Sequence, residues 1–229
     1  MIPLRDANPT RRAPVVTLGI IALCFLAFAW ELTVLVQGGD DALDAFLTDH
    51  GVIPAELVAA IQAGAWLSSP VLDVFTSMFL HAGWIHLLGN MLYLWIFGNN
   101  VEDRLGRPVF LVFYLLGGVV AVAGQTLIDP HSEVPLIGAS GAIAATLGAY
   151  FVLYPGARIQ SLVFLGFFYQ LIAVPAIVVL GFWFVLQLID GLASLGATTG
   201  VGGVAFFAHI GGFLVGVLVA LPYRARGRR

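Results

Sequence analysis

Ser140 lies in the segment Gly138-Ala139-Ser140-Gly141, and His209 in Ala208-His209-Ile210-Gly211-Gly212, each inside an otherwise apolar stretch. A serine hydroxyl is a weak nucleophile until a neighbouring base takes its proton, and histidine is the usual base. A third segment, His81-Ala82-Gly83-Trp84-Ile85-His86-Leu87-Leu88-Gly89-Asn90, sets His86 and Asn90 four residues apart, on one face of a helix. Both side chains can donate hydrogen bonds. With the free backbone N–H groups of a helix that opens at Ser140, they suit a developing oxyanion. Gly138 and Gly141 allow backbone to approach a substrate closely. No Asp or Glu falls at this depth in the three segments, so the chemistry implied is that of a Ser140–His209 dyad, not a triad.

Each residue also has a plainer reading. A serine between glycines in a membrane helix, taken alone, is usually a packing position. Gly212 and Gly216, three and seven residues after His209, are helix-packing glycines on either reading, and close packing is what would bring His209 to Ser140. A histidine inside a membrane points to function because polar groups there are costly. His81, His86 and His209 would be candidates for a metal, but the five-residue step from His81 to His86 suits one ion poorly and no carboxylate joins them. His50 and His131 read as loop residues. Gln125 and Gln187 read as interhelical hydrogen-bond partners.

The elements that must position these groups follow from composition. Of 229 residues, 60% are hydrophobic and 10% charged, where soluble domains carry roughly a quarter charged residues; mean hydropathy is +0.98. Apolar runs at residues 14–35, 82–97, 109–128, 137–154, 175–189 and 204–221 predict six membrane-spanning helices. The first is too long for a signal-peptide core and reads as a retained anchor. Pro175 suits a first helical turn, and the apolar segment 161–174 before it is expected along the cytoplasmic interface. The fourth helix, Ser140 to Tyr154, reaches only ~22 Å of the ~30 Å bilayer core, which sinks Ser140 below the outer surface. Helices 2, 4 and 6 all run inward, so their polar openings meet at one depth. The single cysteine, Cys24, excludes an intrachain disulfide. No basic cluster with interleaved aromatics is present, which argues against nucleic acid.

All ten basic residues are arginines. With six spans, Arg5, Arg11, Arg12, Arg104, Arg107, Arg158, Arg224, Arg226, Arg228 and Arg229 fall on one side, opposite loops that carry acids and no arginine. The positive-inside rule makes the arginine side cytoplasmic, with both termini there. The chain divides into a cytoplasmic segment (1–13), a six-span membrane domain (14–222) and a basic tail (223–229). The long outer loop, 38–80, contains a helix at Pro54–Ile61, expected in the outer interface.

The set His81-x4-His86-x3-Asn90, Gly138-Ala139-Ser140-Gly141 and Ala208-His209-x2-Gly212-x3-Gly216 resembles the rhomboid intramembrane serine proteases, over about residues 70–222. Glu102-Asp103-Arg104-Leu105-Gly106 resembles that family's cytoplasmic turn. The resemblance implies an all-α, six-helix membrane bundle in the plasma membrane, acting as a serine endopeptidase on transmembrane protein substrates without metal or cofactor. It makes Ser140 the nucleophile and His209 the general base. His86, Asn90 and the Ser140 N–H become the oxyanion hole, with His81, Gly138, Gly141 and Gly212 in support. It also implies lateral access past helices 2 and 5, and small residues before the cut. Two positions depart from the pattern. Many members carry an aromatic four residues after the serine, where this chain has Ala144, and Trp66-Leu67 stands in place of a Trp-Arg pair. A non-catalytic rhomboid-like binder is the alternative; its mark would be loss of the serine or histidine, and both are present. A channel or transporter would show paired discontinuous helices, which the sequence lacks.

Overall fold

The computed structural model describes residues 1–165, 168–195 and 204–225, so Arg226, Arg228 and Arg229 lie outside the described residues. Lipid offers the backbone no hydrogen bonds, so spanning segments must satisfy their own, and the chain is mostly helical. α1 (Val15–His50) carries the first apolar run and continues past a non-helical break at Gly39. α2 (Pro54–Gln62), with its proline in the first turn, lies where the sequence predicts a helix. α3 (Ser69–Thr76) and a 3-10 turn (Ser77–Phe79) follow. The segment 38–80, expected as a long loop, is thus largely helical, beyond the one helix expected there.

α4 (Trp84–Tyr93) passes through a turn of π-helix (Leu94–Gly98) into α5 (Asn99–Leu105). Glu102 to Leu105 therefore belong to a helix, and Gly106 alone separates α5 from α6 (Arg107–Ile128). α7 is Ser140–Leu153, α8 Ala176–Ser194 and α9 Phe206–Ala225. Among the described residues, four helices are each long and apolar enough to cross a membrane: Val15–His50, Arg107–Ile128, Ala176–Ser194 and Phe206–Arg224. Trp84–Leu105 meets Ser69–Phe79 at a 77° bend, and Ser140–Leu153 is shorter. At 1.5 Å per residue α7 covers only ~21 Å, as its sequence implies.

α7 is the centre of the molecule. Every residue from Gly141 to Tyr150 is buried, as a helix apolar on all sides requires. Small residues let α9 lie against it: a Cβ at Gly148 would overlap the Phe213 carbonyl, and one at Gly216 the Ala145 carbonyl. Without water to drive helices together, this intimacy of backbone supplies the packing.

A small sheet, absent from the sequence expectation, closes one end. β1 (Ile2–Asp6), β2 (Arg158–Leu165) and β3 (Phe168–Pro175) are antiparallel in the order β1-β2-β3. The segment expected to lie along the interface is a hairpin, in full register from Arg158↔Pro175 to Leu165↔Phe168. Its apolar residues include Val163, Tyr169, Ile172 and Val174, which favour strands, and pairing satisfies their backbone. Arg5 Nε donates to Gln160 Oε1 at 2.8 Å, Arg107 donates to the Ala13 carbonyl at 3.2 Å, and Arg104 donates to the Tyr223 carbonyl. The arginine-bearing segments thus gather at one end.

At the other end, backbone bonds tie the loop before α7 to the segment of α2 and the 3-10 turn. Val52 and Leu136 exchange N–H···O bonds of 3.0 and 2.8 Å, and the Ala55 N–H donates to Ser132 O at 3.1 Å. The Gly138 N–H donates to Ser77 O at 2.8 Å.

Candidate active site

Ser140 is the first residue of α7, so the N–H groups of the opening turn have no partner within the helix. The helix starts there because Gly138, at φ 115°, turns the chain through a region that favours glycine. His209 lies in the first turn of α9. Its Nε2 is 2.8 Å from Ser140 Oγ, within range for general-base proton transfer. The close packing of α7 on α9 sets that distance, since Gly212 and Gly216 allow the two backbones to touch.

His86 and Asn90 enter from α4. A Cβ at Gly138 would stand 2.6 Å from His86 Nε2 and 3.6 Å from Asn90 Nδ2. Both donors therefore flank the backbone two residues before Ser140, in space that exists because Gly138 has no side chain. Asn90 Nδ2 is buried and has no hydrogen-bond partner among the described residues. Ser140, His209, His86 and Asn90 line one cavity of about 940 Å³, which Trp84, Tyr93 and Trp183 also border. The four groups expected from sequence to act together are thus brought together.

Residues 68–226 match the rhomboid domain, a stretch that contains all three motifs. The chain belongs to the rhomboid family. Its similarities include the putative rhomboid protease YdcA of Bacillus subtilis (36% identity over 77 residues, 34% of this chain and 38% of that protein). The rhomboid protease GluP of the same organism is 40% identical over 76 residues, 33% of this chain and 14% of GluP. The mitochondrial presenilin-associated rhomboid-like protein A of Danio rerio is 30% identical over 148 residues, 64% of this chain and 36% of that protein. The chain thus spans little more than a third of two of these relatives and less of GluP.

The other residues of this rhomboid's site lie as follows. His81 is buried behind His86, the two rings edge to face at 5.1 Å. Its Nδ1–H donates to Phe79 O at 3.1 Å, and its backbone N–H donates to Glu31 Oε1 at 3.0 Å. It supports the opening of α4 and does not reach the dyad directly. Gly141 packs on α6, where a Cβ would stand 2.5 Å from Ala121 Cβ, and Gly212 packs on Gly141 and Ala144. Gln125 Oε1 accepts the Phe207 N–H at 3.1 Å, capping the start of α9.

Three neighbours lie outside the motifs, and one of them, Gln187, is the interhelical hydrogen-bond partner that the sequence predicts. Glu31, buried on α1, holds the His81 backbone; a lone carboxylate within an apolar run was its signal. Gln187, on α8, presents Oε1 to His209 Nδ1 at 2.6 Å. Trp183, one turn before Gln187, sets its ring 5.9 Å from the imidazole and 6.1 Å from Phe213. With Ala144 in place of an aromatic, the histidine ring is held from α8.

Proposed function

We propose that this rhomboid is an intramembrane serine endopeptidase that hydrolyses peptide bonds in or near the transmembrane helices of substrate proteins. The observation that carries the reading is the 2.8 Å contact of Ser140 Oγ with His209 Nε2 in a cavity that also holds His86 and Asn90. Ser140 Oγ attacks the scissile carbonyl carbon while its proton passes to His209 Nε2. The tetrahedral oxyanion is held by His86, Asn90 and the Ser140 N–H. His209 returns the proton to the leaving amine, and water then releases the acyl group from Ser140 by the same path in reverse. Gly138, Gly141, Gly212 and His81 support this arrangement without touching the reacting atoms.

The chain crosses the plasma membrane six times, with the end that holds Arg5, Arg104, Arg107 and Arg158 in the cytoplasm. The short α7 sets Ser140 within the outer leaflet, and the one-sided arginines support this orientation. Labelling with a fluorophosphonate in detergent tests the chemistry: wild type should label at Ser140 and cleave a transmembrane substrate, and Ser140→Ala should do neither. Cleavage retained by Ser140→Ala would reject the mechanism.

A further inference from the structure

We propose that Gln187 is the positioning residue of the general base, fixing the tautomer of His209; the inference rests on the peptidase reading above. A neutral imidazole can take the serine proton only if Nε2 carries the lone pair, which requires the ring proton on Nδ1. Nothing in the ring itself selects that form. Gln187 Oε1 lies 2.6 Å from Nδ1, and a carbonyl oxygen there can only accept. It therefore holds the proton on Nδ1 and leaves Nε2 open toward Ser140 Oγ. The opposite amide orientation would donate to Nδ1, move the proton to Nε2 and turn His209 into a donor to the serine, a form unable to act as base.

The sequence of α8 supports the assignment. Ala176, Val179, Leu180 and Gly191 are its buried positions, and Gln187 shares their stripe at helical spacing, while Val185, Leu186, Leu188 and Ile189 are exposed. A polar residue on the inward stripe of a membrane helix must meet a polar partner, and the one it meets is His209. Trp183, one turn earlier on the same stripe, lies against the same ring. A carboxylate would perform the same task with a full charge; an amide performs it without placing an anion in the bilayer. When Ser140 transfers its proton, His209 becomes a cation with N–H groups at both nitrogens. The Gln187 oxygen keeps its hydrogen bond to Nδ1–H, and the amide gains no proton.

The test is nitrogen NMR of protein labelled with 15N-histidine in detergent, with the His209 signals assigned by their loss in His209→Ala. In wild type, Nδ1 should be protonated and Nε2 unprotonated at a pH where the ring is neutral. Gln187→Leu should give a mixture of tautomers and a kcat lower by roughly ten- to a hundredfold with KM little changed. Gln187→Glu keeps an acceptor, so it should restore the tautomer and much of kcat while shifting the acid limb of the pH–rate profile upward. Wild-type His209 protonated on Nε2, or unchanged tautomer and kcat in Gln187→Leu, would overturn the assignment. The spectrum is read without substrate. Failure of the peptidase reading would instead appear as absent labelling and cleavage in wild type, whatever the tautomer.

Discussion

Two polar clusters interrupt this apolar bundle, and they are built in opposite ways. At the arginine-rich end, Glu102 is 2% exposed and its carboxylate receives Val16 N–H at 3.0 Å, Thr17 N–H at 2.8 Å and Thr17 Oγ–H at 2.7 Å. It caps the first turn of α1, where an anion also meets the helix dipole. Beside it, Asn100 Nδ2 donates to Asp6 Oδ2 at 2.6 Å, Tyr150 OH to the same oxygen at 2.7 Å, and Asn8 Nδ2 to Asn100 Oδ1 at 2.6 Å. At the opposite end, Asn90 Nδ2, His81 Nε2 and Glu31 Oε2 are buried without partners among the described residues. Such an orphan costs about 1–3 kcal/mol. Of these three groups Asn90 lines the cavity, and Tyr114 OH and Thr126 Oγ on α6 are orphaned likewise among the described residues. The closed cluster ties helices together; in the open one the Asn90 amide keeps a free donor, which the proposed reaction would use to hold the oxyanion.

The sharpest way to break this contrast is to remove a polar side chain at each end and compare. Asn90→Ala and His86→Ala should lower kcat on the order of 10²–10³ with KM nearly unchanged, and both should melt like wild type. A variant that instead loses thermal stability in step with activity would make the outer residues a second clamp. The reciprocal variant, Glu102→Ala, strands two backbone N–H groups and a hydroxyl. It should cost about 2–3 kcal/mol of stability, visible as a lower Tm in detergent, while kcat per folded molecule stays close to wild type. Unchanged Tm would remove Glu102 from its role.

Gly216→Ala joins the two regions. Its new methyl would overlap the Ala145 carbonyl, so α9 must move off α7, at about 1–3 kcal/mol. Because those helices carry His209 and Ser140, fluorophosphonate labelling should slow as Tm falls; normal labelling at a lowered Tm would uncouple packing from the dyad. The smallest effect concerns Asp6. Burial pushes its carboxyl above the ordinary value, and the hydrogen bond from Tyr150 pulls it partway back. The folded state therefore binds that proton more tightly than the unfolded chain. The group's contribution to stability is full below its ordinary value of 3.8, falls as pH rises through the raised one, and then levels off. Asp6→Asn should flatten that part of the Tm–pH curve, and an unchanged slope would assign the fall to another group.

Much of this architecture is legible in the sequence because lipid imposes strict rules. Each of the six apolar runs is helical, and the shortness of α7 and its start at Ser140 follow from glycine placement and span length. The pairing of β2 with β3 was not legible, because hydropathy cannot distinguish an apolar strand from an apolar helix over so short a run. The other partner of β2, β1, is more than 150 residues away in the chain, beyond any local pattern. The extension of α1 past Gly39 was hidden by Asp40, Asp41 and Asp44, which read as loop and are helical. At the site, the types of Ser140, His209, His86 and Asn90 announce their chemistry, whereas Gln187 does not. An amide in a helix has many uses, and only the turn of α8 about its axis brings this one to His209.

The pairing of β1 with β2 has a consequence for how the chain comes into being. Ile2 to Asp6 are synthesised long before Arg158 to Leu165, their partners in the sheet. The first strand must wait, unpaired, while α1 to α7 are made. Only when the hairpin emerges can the Arg5–Gln160 bond form. The bond from Tyr150 to Asp6 likewise waits for the end of α7. Closure of this sheet is therefore a late event in assembly. A ribosome-arrested chain ending before residue 158 would hold its dyad serine but not its clasp, and protease added from the arginine side would find the first residues open.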